Sequence, residues 1–290
     1  MRVHLVDGTY ELFRAHFSPR PGHVSPDGRD SKATVGLVTS MIALLEDDEE
    51  QVTHLAVAFD NPIRSFRNDL FDGYKTEAGV PEELLAQFDP AEEAMRALGV
   101  CVWSMDRWEA DDALATGAAR MRDVAEQVRI MTPDKDLGQC LRGERVVQVD
   151  RMRKRLIDET ALRARRGIGP ASIPDFLALV GDSADGIPGV PGFGEKSASA
   201  LLGHYETIEA IPDDAESWEV ELRGAKRLAN ALAERRDDAM LYKKLATLVE
   251  DVPLDLDALP YRGPSAQWGA WCNALGVPRL VDRPRPRAAG

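Results

Sequence analysis

Cysteine is scarce in this chain: Cys101, Cys140 and Cys272 are the only three in 290 residues, widely spaced and odd in number. That excludes a disulfide framework and fits free thiols in a reducing compartment. No apolar run approaches the ~18–20 residues that a membrane-spanning helix needs. The opening residues MRVHLVDGTY lack the basic region, apolar core and small-residue cleavage site of an export signal. A cytoplasmic, membrane-free protein is therefore expected. The five histidines (His4, His16, His23, His54, His204) show no ligand spacing, which argues against a zinc centre. A surplus of positive charge is also missing, since 36 basic residues face 49 acidic ones for a net charge of −13. Nucleic-acid binders usually show the reverse. The objection weakens only if many acids gather around metal ions and the bases lie elsewhere. The run RMRKRLIDETALRARR (151–166) holds seven bases against two acids, so the charge is uneven, although a solvated helix face explains that run equally well.

At 44% apolar and 29% charged residues, 290 residues suit one large domain or two modest ones with a real core. Short β-rich runs (VHLV, HLAVAF, VCVWSM, VRIMT, VVQV) alternate with segments of helical spacing, among them KATVGLVTSMIALLEDD and ADDALATGAARMRD. This alternation predicts an α/β fold with a mostly parallel central sheet flanked by helices. After about residue 167 the strand signals stop, and short helices with Gly/Pro turns predict a smaller helical module. The tail DRPRPRAAG is Pro/Arg-rich and predicts an unstructured end.

The acids track the strand ends. Asp7 follows the first strand and Asp60 the second. Glu109, Asp111 and Asp112, in WEADDALAT, come soon after the third, and Asp134 and Asp136, in TPDKDLGQ, after the fourth. WEADDALAT alone reads as an acidic helix start. In an open α/β sheet, however, ligands bind beyond the carboxyl ends of the strands, so seven carboxylates are expected at one edge. Such crowding calls for protonation or a bound cation, and oxygen-only ligands select Mg²⁺ or Mn²⁺. Two more acids, Asp182 and Asp185, are spaced i, i+3 and are expected on one helical face. They precede Gly189, Gly192, Gly194 and Lys196, a glycine turn leading into a helix. A P-loop does not fit: Glu195 intervenes before the lysine and no strand precedes it. A helix–hairpin–helix, whose backbone N–H groups hold a phosphate, fits better than either a P-loop or a plain loop.

These segments, with LVDGTYELFRAHF, VAFDNPIRSFRNDLFDGYK and FLALVGDSADGIPGVPGFGEKSASALL, resemble the bacterial 5′-nuclease (flap endonuclease) family, which includes the 5′-nuclease domain of DNA polymerase I. The resemblance runs from about Val3 to Val252. It implies a PIN-like nuclease domain over 1–166 with a helical arch at about 67–98, a helix–hairpin–helix DNA-binding module over 167–256, and an extension over 257–290. It implies a metal-dependent 5′–3′ exonuclease and 5′-flap endonuclease of replication or repair, free-standing, monomeric, cytoplasmic and nucleoid-associated. The implied substrate is DNA with 5′ flaps, nicks or 5′ ends, RNA primers included. Nine metal-site acids match: Asp7, Asp60, Glu109, Asp111 and Asp134 as the first group, Asp136, Asp182 and Asp185 as the second, and Asp112 shared or behind them. Asp7 and Asp111 are expected among the catalytic residues, together with the basic residues Arg14, Arg67 and Lys75. Arg67 and Lys75 match contacts to the scissile phosphate, Arg14 the active-site floor, and Tyr74 a base-stacking or arch-supporting position. The glycine turn and Lys196 are expected to grip duplex DNA, with K⁺ on backbone carbonyls. One departure is Ala78, where relatives commonly carry arginine. The competing readings are a structure-selective DNA-binding protein with weak catalysis and a ribonuclease of the broader fold group. Complete retention of the acids disfavours the first and the glycine turn the second.

Overall fold

Four largely apolar segments form parallel strands, and the first two are buried on both faces along nearly their whole length, as in a sheet covered on both sides. In the computed structural model, which describes residues 1–284, these are β1 (Arg2–Asp7), β2 (His54–Asp60), β3 (Cys101–Met105) and β4 (Gln127–Met131). All but the first residue of β1 and of β2 are buried. β1 lies between β2 and β4, and β2 pairs with β3, every ladder parallel, in register Val3↔His54, Leu5↔Ile130 and Ala58↔Trp103. The described residues divide into two compact units: residues 1–64, 77–132 and 250–284 form the first, and 65–76 with 133–249 the second.

In the first unit, helices α1 (Gly8–His16), α2 (Lys32–Leu45), α3 (Glu82–Leu85), α4 (Phe88–Ala97) and α5 (Ala110–Met121) connect the strands. α5 covers one face of the sheet, where Gly117 lies against Leu5 and Trp103 with no space for a side chain. Parallel strands share one direction, so Asp7 and Asp60, the last residues of β1 and β2, and the start of α5 after β3 fall at the same edge.

The second unit carries an antiparallel pair, β5 (Val146–Asp150) with β6 (Arg155–Ile157), followed by α6 (Glu159–Arg166), α7 (Ile173–Val180), α8 (Glu195–Tyr205), α9 (Ala225–Glu234) and α10 (Arg236–Ala246). α7 is apolar almost all round and is its central helix, buried from Ile173 to Leu179. Phe176, Leu177, Leu201, Leu202, Leu228, Leu232 and Leu245 pack into one core that also takes Tyr74.

Beyond residue 249 the chain returns to the first unit. Leu259 O accepts the Leu55 N–H at 2.9 Å, Thr53 O accepts that of Tyr261, and α11 (Trp268–Ala274) buries Trp268. The compact division therefore differs from the boundaries at 166/167 and 256/257 expected above. Residues 133–166 go with the helical unit, and 250–284 with the sheet. The region expected as an arch is split: a 3₁₀ turn at Phe66–Asp69 lies in the second unit, while α3 and α4 lie in the first. The tail expected to be unstructured begins at Asp282, but its last six residues lie outside the described ones. No helix among the described residues is long and apolar enough to cross a membrane.

Leu177 is 1% exposed at the centre of the second unit's core. Leu177→Ala is expected to cost about 2–5 kcal/mol, read as a lower urea midpoint with an unchanged slope.

Candidate metal centre

In the first unit Asp7, Asp60 and Asp112 each accept a backbone N–H at the start of a helix. Asp7 caps α1, its Oδ1 accepting the Tyr10 N–H at 2.7 Å, while Oδ2 accepts the Thr132 hydroxyl at 3.1 Å. Asp60 Oδ1 accepts the Ala110 N–H at 2.8 Å, and its own N–H donates to Thr9 Oγ1 at 2.8 Å, which joins the end of β2 to the starts of α1 and α5. Asp112 is wholly buried and its Oδ2 accepts the Glu109 N–H at 3.0 Å, capping α5. Asp112 thus does the helix-start work that WEADDALAT suggested when read alone. Glu109 is buried and Asp111 is half-buried two positions on. Arg14 is held by Glu11, itself 2% exposed, and by Ser40 Oγ at 3.0 Å. The sequence reading did not mark Glu11 or Ser40, because a glutamate one turn before an arginine is a common surface pair.

The second unit holds the tighter cluster. Asp136, Asp182 and Asp185 each bring one carboxylate oxygen within 4.8 Å of the others, the one such group among the described residues. Asp136 opens a 3₁₀ turn, Asp136–Cys140, and its N–H donates to Asp134 Oδ1 at 3.0 Å. Gln139 braces that turn, its amide donating to Asp136 O and Ala246 O and its carbonyl accepting the Leu248 N–H, all at 3.0 Å. Asp182 and Asp185 do not share a helical face, contrary to the i, i+3 expectation. α7 ends at Val180 because Gly181 takes φ +87°, and the chain then closes a narrow loop. Asp182 and Ile187 exchange both backbone hydrogen bonds at 2.8 Å, and Asp182 Oδ1 accepts the Ala184 N–H. The loop, and not helical periodicity, turns the two acids together.

Three carboxylates at this range repel one another. Burial, followed by the like charges of Asp134, Asp185 and Asp182, pushes the Asp136 carboxyl well above the usual carboxylate range. Two lysines offset the charge. Lys75 Nζ lies 3.0 Å from Asp185 Oδ1, and Lys135 Nζ lies 2.8 Å from Asp182 Oδ2. Burial lowers the Lys135 pKa, but the hydrogen bond to Asp182 and the surrounding acids outweigh it and leave it raised. The sequence reading passed over Lys135, although it stands between the two acids of TPDKDLGQ. Asp136 Oδ1 is buried and has no hydrogen-bond donor among the described residues. An orphaned carboxyl oxygen beside two further carboxylates fits a hard divalent cation such as Mg²⁺ or Mn²⁺.

Burial bears on two of the basic and aromatic expectations. Arg67 is 1% exposed, so it is not presented to a phosphate. Its guanidinium donates to Leu245 O at 2.7 Å and Thr247 O at 3.0 Å, satisfying carbonyls at the C-terminus of α10, and stacks over Phe66 at 4.7 Å. Tyr74 is 4% exposed and packs in the second unit's core, which leaves it no face for a nucleobase and favours the supporting role. Lys75 remains half-buried, and its N–H donates to Asp185 O at 3.0 Å. Gly186 makes that approach possible, because a Cβ there would sit 2.1 Å from Gly73 O. Ala78 is exposed. In the glycine turn, Gly189 packs against the end of α7, where a Cβ would lie 2.6 Å from Gly181 N. Gly192, Gly194 and Lys196 are exposed, and Gly194 heads α8 with nothing near its missing side chain.

A family profile described as "5'-3' exonuclease, N-terminal resolvase-like domain" matches residues 2–167, and one described as "5'-3' exonuclease, C-terminal SAM fold" matches residues 168–267. The chain is similar to DNA polymerase I of Pseudomonas aeruginosa, 36% identical over 258 residues that cover 87% of this chain and 28% of that one. It is 33% identical to DNA polymerase I of Bacillus subtilis over 288 residues, 96% of this chain and 32% of that one. It therefore spans less than a third of the length of these curated relatives. In fold it resembles T5 5′-exonuclease with bound zinc ions, with a TM-score of 0.65 at 17% identity over 85% of this chain and 89% of that one. It also resembles the catalytic core of Rad2 in complex with DNA substrate, with a TM-score of 0.61 at 13% identity over 97% and 90%.

Two outcomes are expected from this geometry. Arg67→Met removes the donors from buried carbonyls and lowers stability by about 2–4 kcal/mol, measured by urea unfolding. Asp136→Asn raises the thermal midpoint by a few degrees in EDTA at neutral pH. The sign follows from the raised pKa: the protonated acid is favoured by folding, so its stabilisation holds at low pH and is lost as pH rises through the folded-state value. The asparagine advantage should vanish on acidification, and saturating Mg²⁺ should reverse the order by stabilising only the native aspartate.

Proposed function

The chain belongs to the 5′-3′ exonuclease family, and from that premise we propose that it hydrolyses phosphodiester bonds in DNA at 5′ ends, nicks and single-stranded 5′ flaps, with Mg²⁺ or Mn²⁺ as cofactor. The observation that carries the reading is the Asp136, Asp182 and Asp185 triad, with its unpartnered oxygen and its two lysines. These three acids would hold one cation, and Asp7, Asp60, Glu109 and Asp111 are proposed as ligands toward another. When bound, such ions lower the pKa of a water and neutralise charge on the leaving 3′-oxygen.

The chain's own residues supply the rest. Asp112, with both a capping role and no exposure, holds the start of α5 so that Glu109 and Asp111 keep their places. Thr9 and Thr132 fix Asp60 and Asp7 from the sides. Gln139 holds the backbone of Asp136. Lys75, on a flexible four-carbon stem, would meet a phosphate oxygen, and Arg14 would contribute positive charge in the first unit. Gly192, Gly194 and Lys196, exposed before and at the start of α8, would take duplex phosphates without reading sequence, with K⁺ on nearby carbonyls. Residues 67–98 are proposed as the route of a 5′ flap. Binding would then weaken steeply with salt. We read the protein as a monomer acting on chromosomal DNA in the cytoplasm, RNA-primed 5′ ends included.

The test is a 5′-labelled flap and a blunt duplex of the same sequence, each with EDTA, Mg²⁺ or Mn²⁺. Metal-dependent release from the flap is expected. Asp111→Asn and Asp136→Asn should each lower the cleavage rate by at least about 10²-fold while the flap is still bound. Binding without cleavage by the unaltered chain, in every metal, would favour a DNA-binding protein over a nuclease.

A further inference from the structure

Two ammonium groups sit on oxygens of the acid triad. Lys135 Nζ is 2.8 Å from Asp182 Oδ2, Lys75 Nζ is 3.0 Å from Asp185 Oδ1, and Asp136 Oδ1 has neither. These are the same three acids that bring oxygens within 4.8 Å of one another. A small divalent cation takes carboxylate oxygens at about 2.0–2.1 Å in a fixed octahedral arrangement. Two of the carboxylate oxygens open to such a cation already accept an ammonium group. A cation drawn in among the three acids meets both ammonium groups at short range, and the positive charges repel, so the two compete for the same carboxylates.

We propose that Lys135 is a built-in counter-ion of this site, exchanged for the divalent cation on loading, and that Lys75 leaves Asp185 in the same exchange. This rests on the triad being the cation site of the proposed nuclease. The two lysines are fitted to the exchange in different ways. Lys135 is 41% exposed, so its head group can swing into water at little cost. Lys75 is anchored by its backbone N–H on Asp185 O, and Gly186 lets the two segments touch. When its ammonium leaves the carboxylate, only the stem moves and the charge stays beside the site. Cation loading thereby releases two positive groups next to the triad, where a phosphodiester needs them, and before loading the same groups keep the buried acids from repelling one another. Lys135 therefore sets the cation affinity by competition without ever being a ligand.

The experiment uses the full chain and Mn²⁺ alone. Manganese binding is followed by its EPR signal, and lysine exposure by brief acylation and mass spectrometry, with exposed Lys226 as the internal reference. Saturating Mn²⁺ is expected to raise acylation of Lys135 and Lys75 severalfold relative to Lys226. Lys135→Met should tighten Mn²⁺ binding by about two- to tenfold, the scale of a partly exposed ion pair. Lys135→Arg, which keeps the charge and holds a carboxylate through two donors, should weaken it. Asp182→Asn should make Lys135 reactive without metal. If Mn²⁺ binds in an Asp182-dependent way while Lys135 acylation and the Lys135→Met affinity stay unchanged, the exchange is wrong and the metal site stands. If Mn²⁺ does not bind, or binds equally well to Asp182→Asn, the site assignment and the exchange both fall.

Discussion

Like charges held close together in a protein interior are the constraint around which the second unit is arranged. Asp136, Asp182 and Asp185 would spread apart if they were free to do so. A 3₁₀ turn braced by Gln139 and a loop closed by the Asp182–Ile187 bridge prevent it. The backbone geometry carries a cost that glycine makes tolerable: Gly181 turns the chain out of α7 at φ +87°, and Gly186 lets the Lys75 segment pass within van der Waals range. Lys75 and Lys135 then offset the charge of Asp185 and Asp182, while Asp136 Oδ1 is left without a donor.

The acids of the first unit are organised differently. Asp7, Asp60 and Asp112 each accept a backbone N–H from the start of a helix, α1 for the first and α5 for the other two. Such bonds fix each carboxylate to the end of a parallel strand or to the helix beyond it. Rigid positioning there comes from secondary structure, whereas in the second unit it comes from loop closure. The two solutions hold the same chemical group.

How much of this was legible depended on which physical rule wrote the signal. Strand ends were legible because parallel strands are apolar on both faces, so Asp7 and Asp60 could be placed from hydrophobic runs alone. The glycine turn could be read too, since Gly192 and Gly194 stand exposed ahead of α8. The i, i+3 spacing of Asp182 and Asp185 misled, because helical periodicity was applied across Gly181, where the helix stops. Burial bears on Arg67 and Tyr74 in another way. A basic or aromatic residue in a motif resembles a ligand contact, and only burial distinguishes a phosphate-facing arginine from one that closes the end of α10. Lys135 was invisible because its meaning comes from Asp182, 47 positions away. The return of residues 250–284 to the first unit carries no motif at all, since it runs largely on backbone hydrogen bonds such as Leu55 N–H to Leu259 O.

The charge of −13 looks unsuited to a partner made of phosphates, yet its distribution changes the sum. With the nine candidate metal-site acids set aside, the other 40 acidic residues face 36 basic ones and the balance falls to −4. The remaining charges are not mixed evenly. Arg153, Lys154 and Arg155 stand exposed at the turn of the β5–β6 hairpin, held by Asp150, which accepts both the Arg153 N–H and its guanidinium. Lys154 takes φ +49°, a conformation that glycine or asparagine adopts more cheaply. Net charge governs solubility and long-range steering, and it weakens within about 10 Å in physiological salt. At contact distance a polyanion meets local surfaces instead, so a net-negative chain can still offer basic ones.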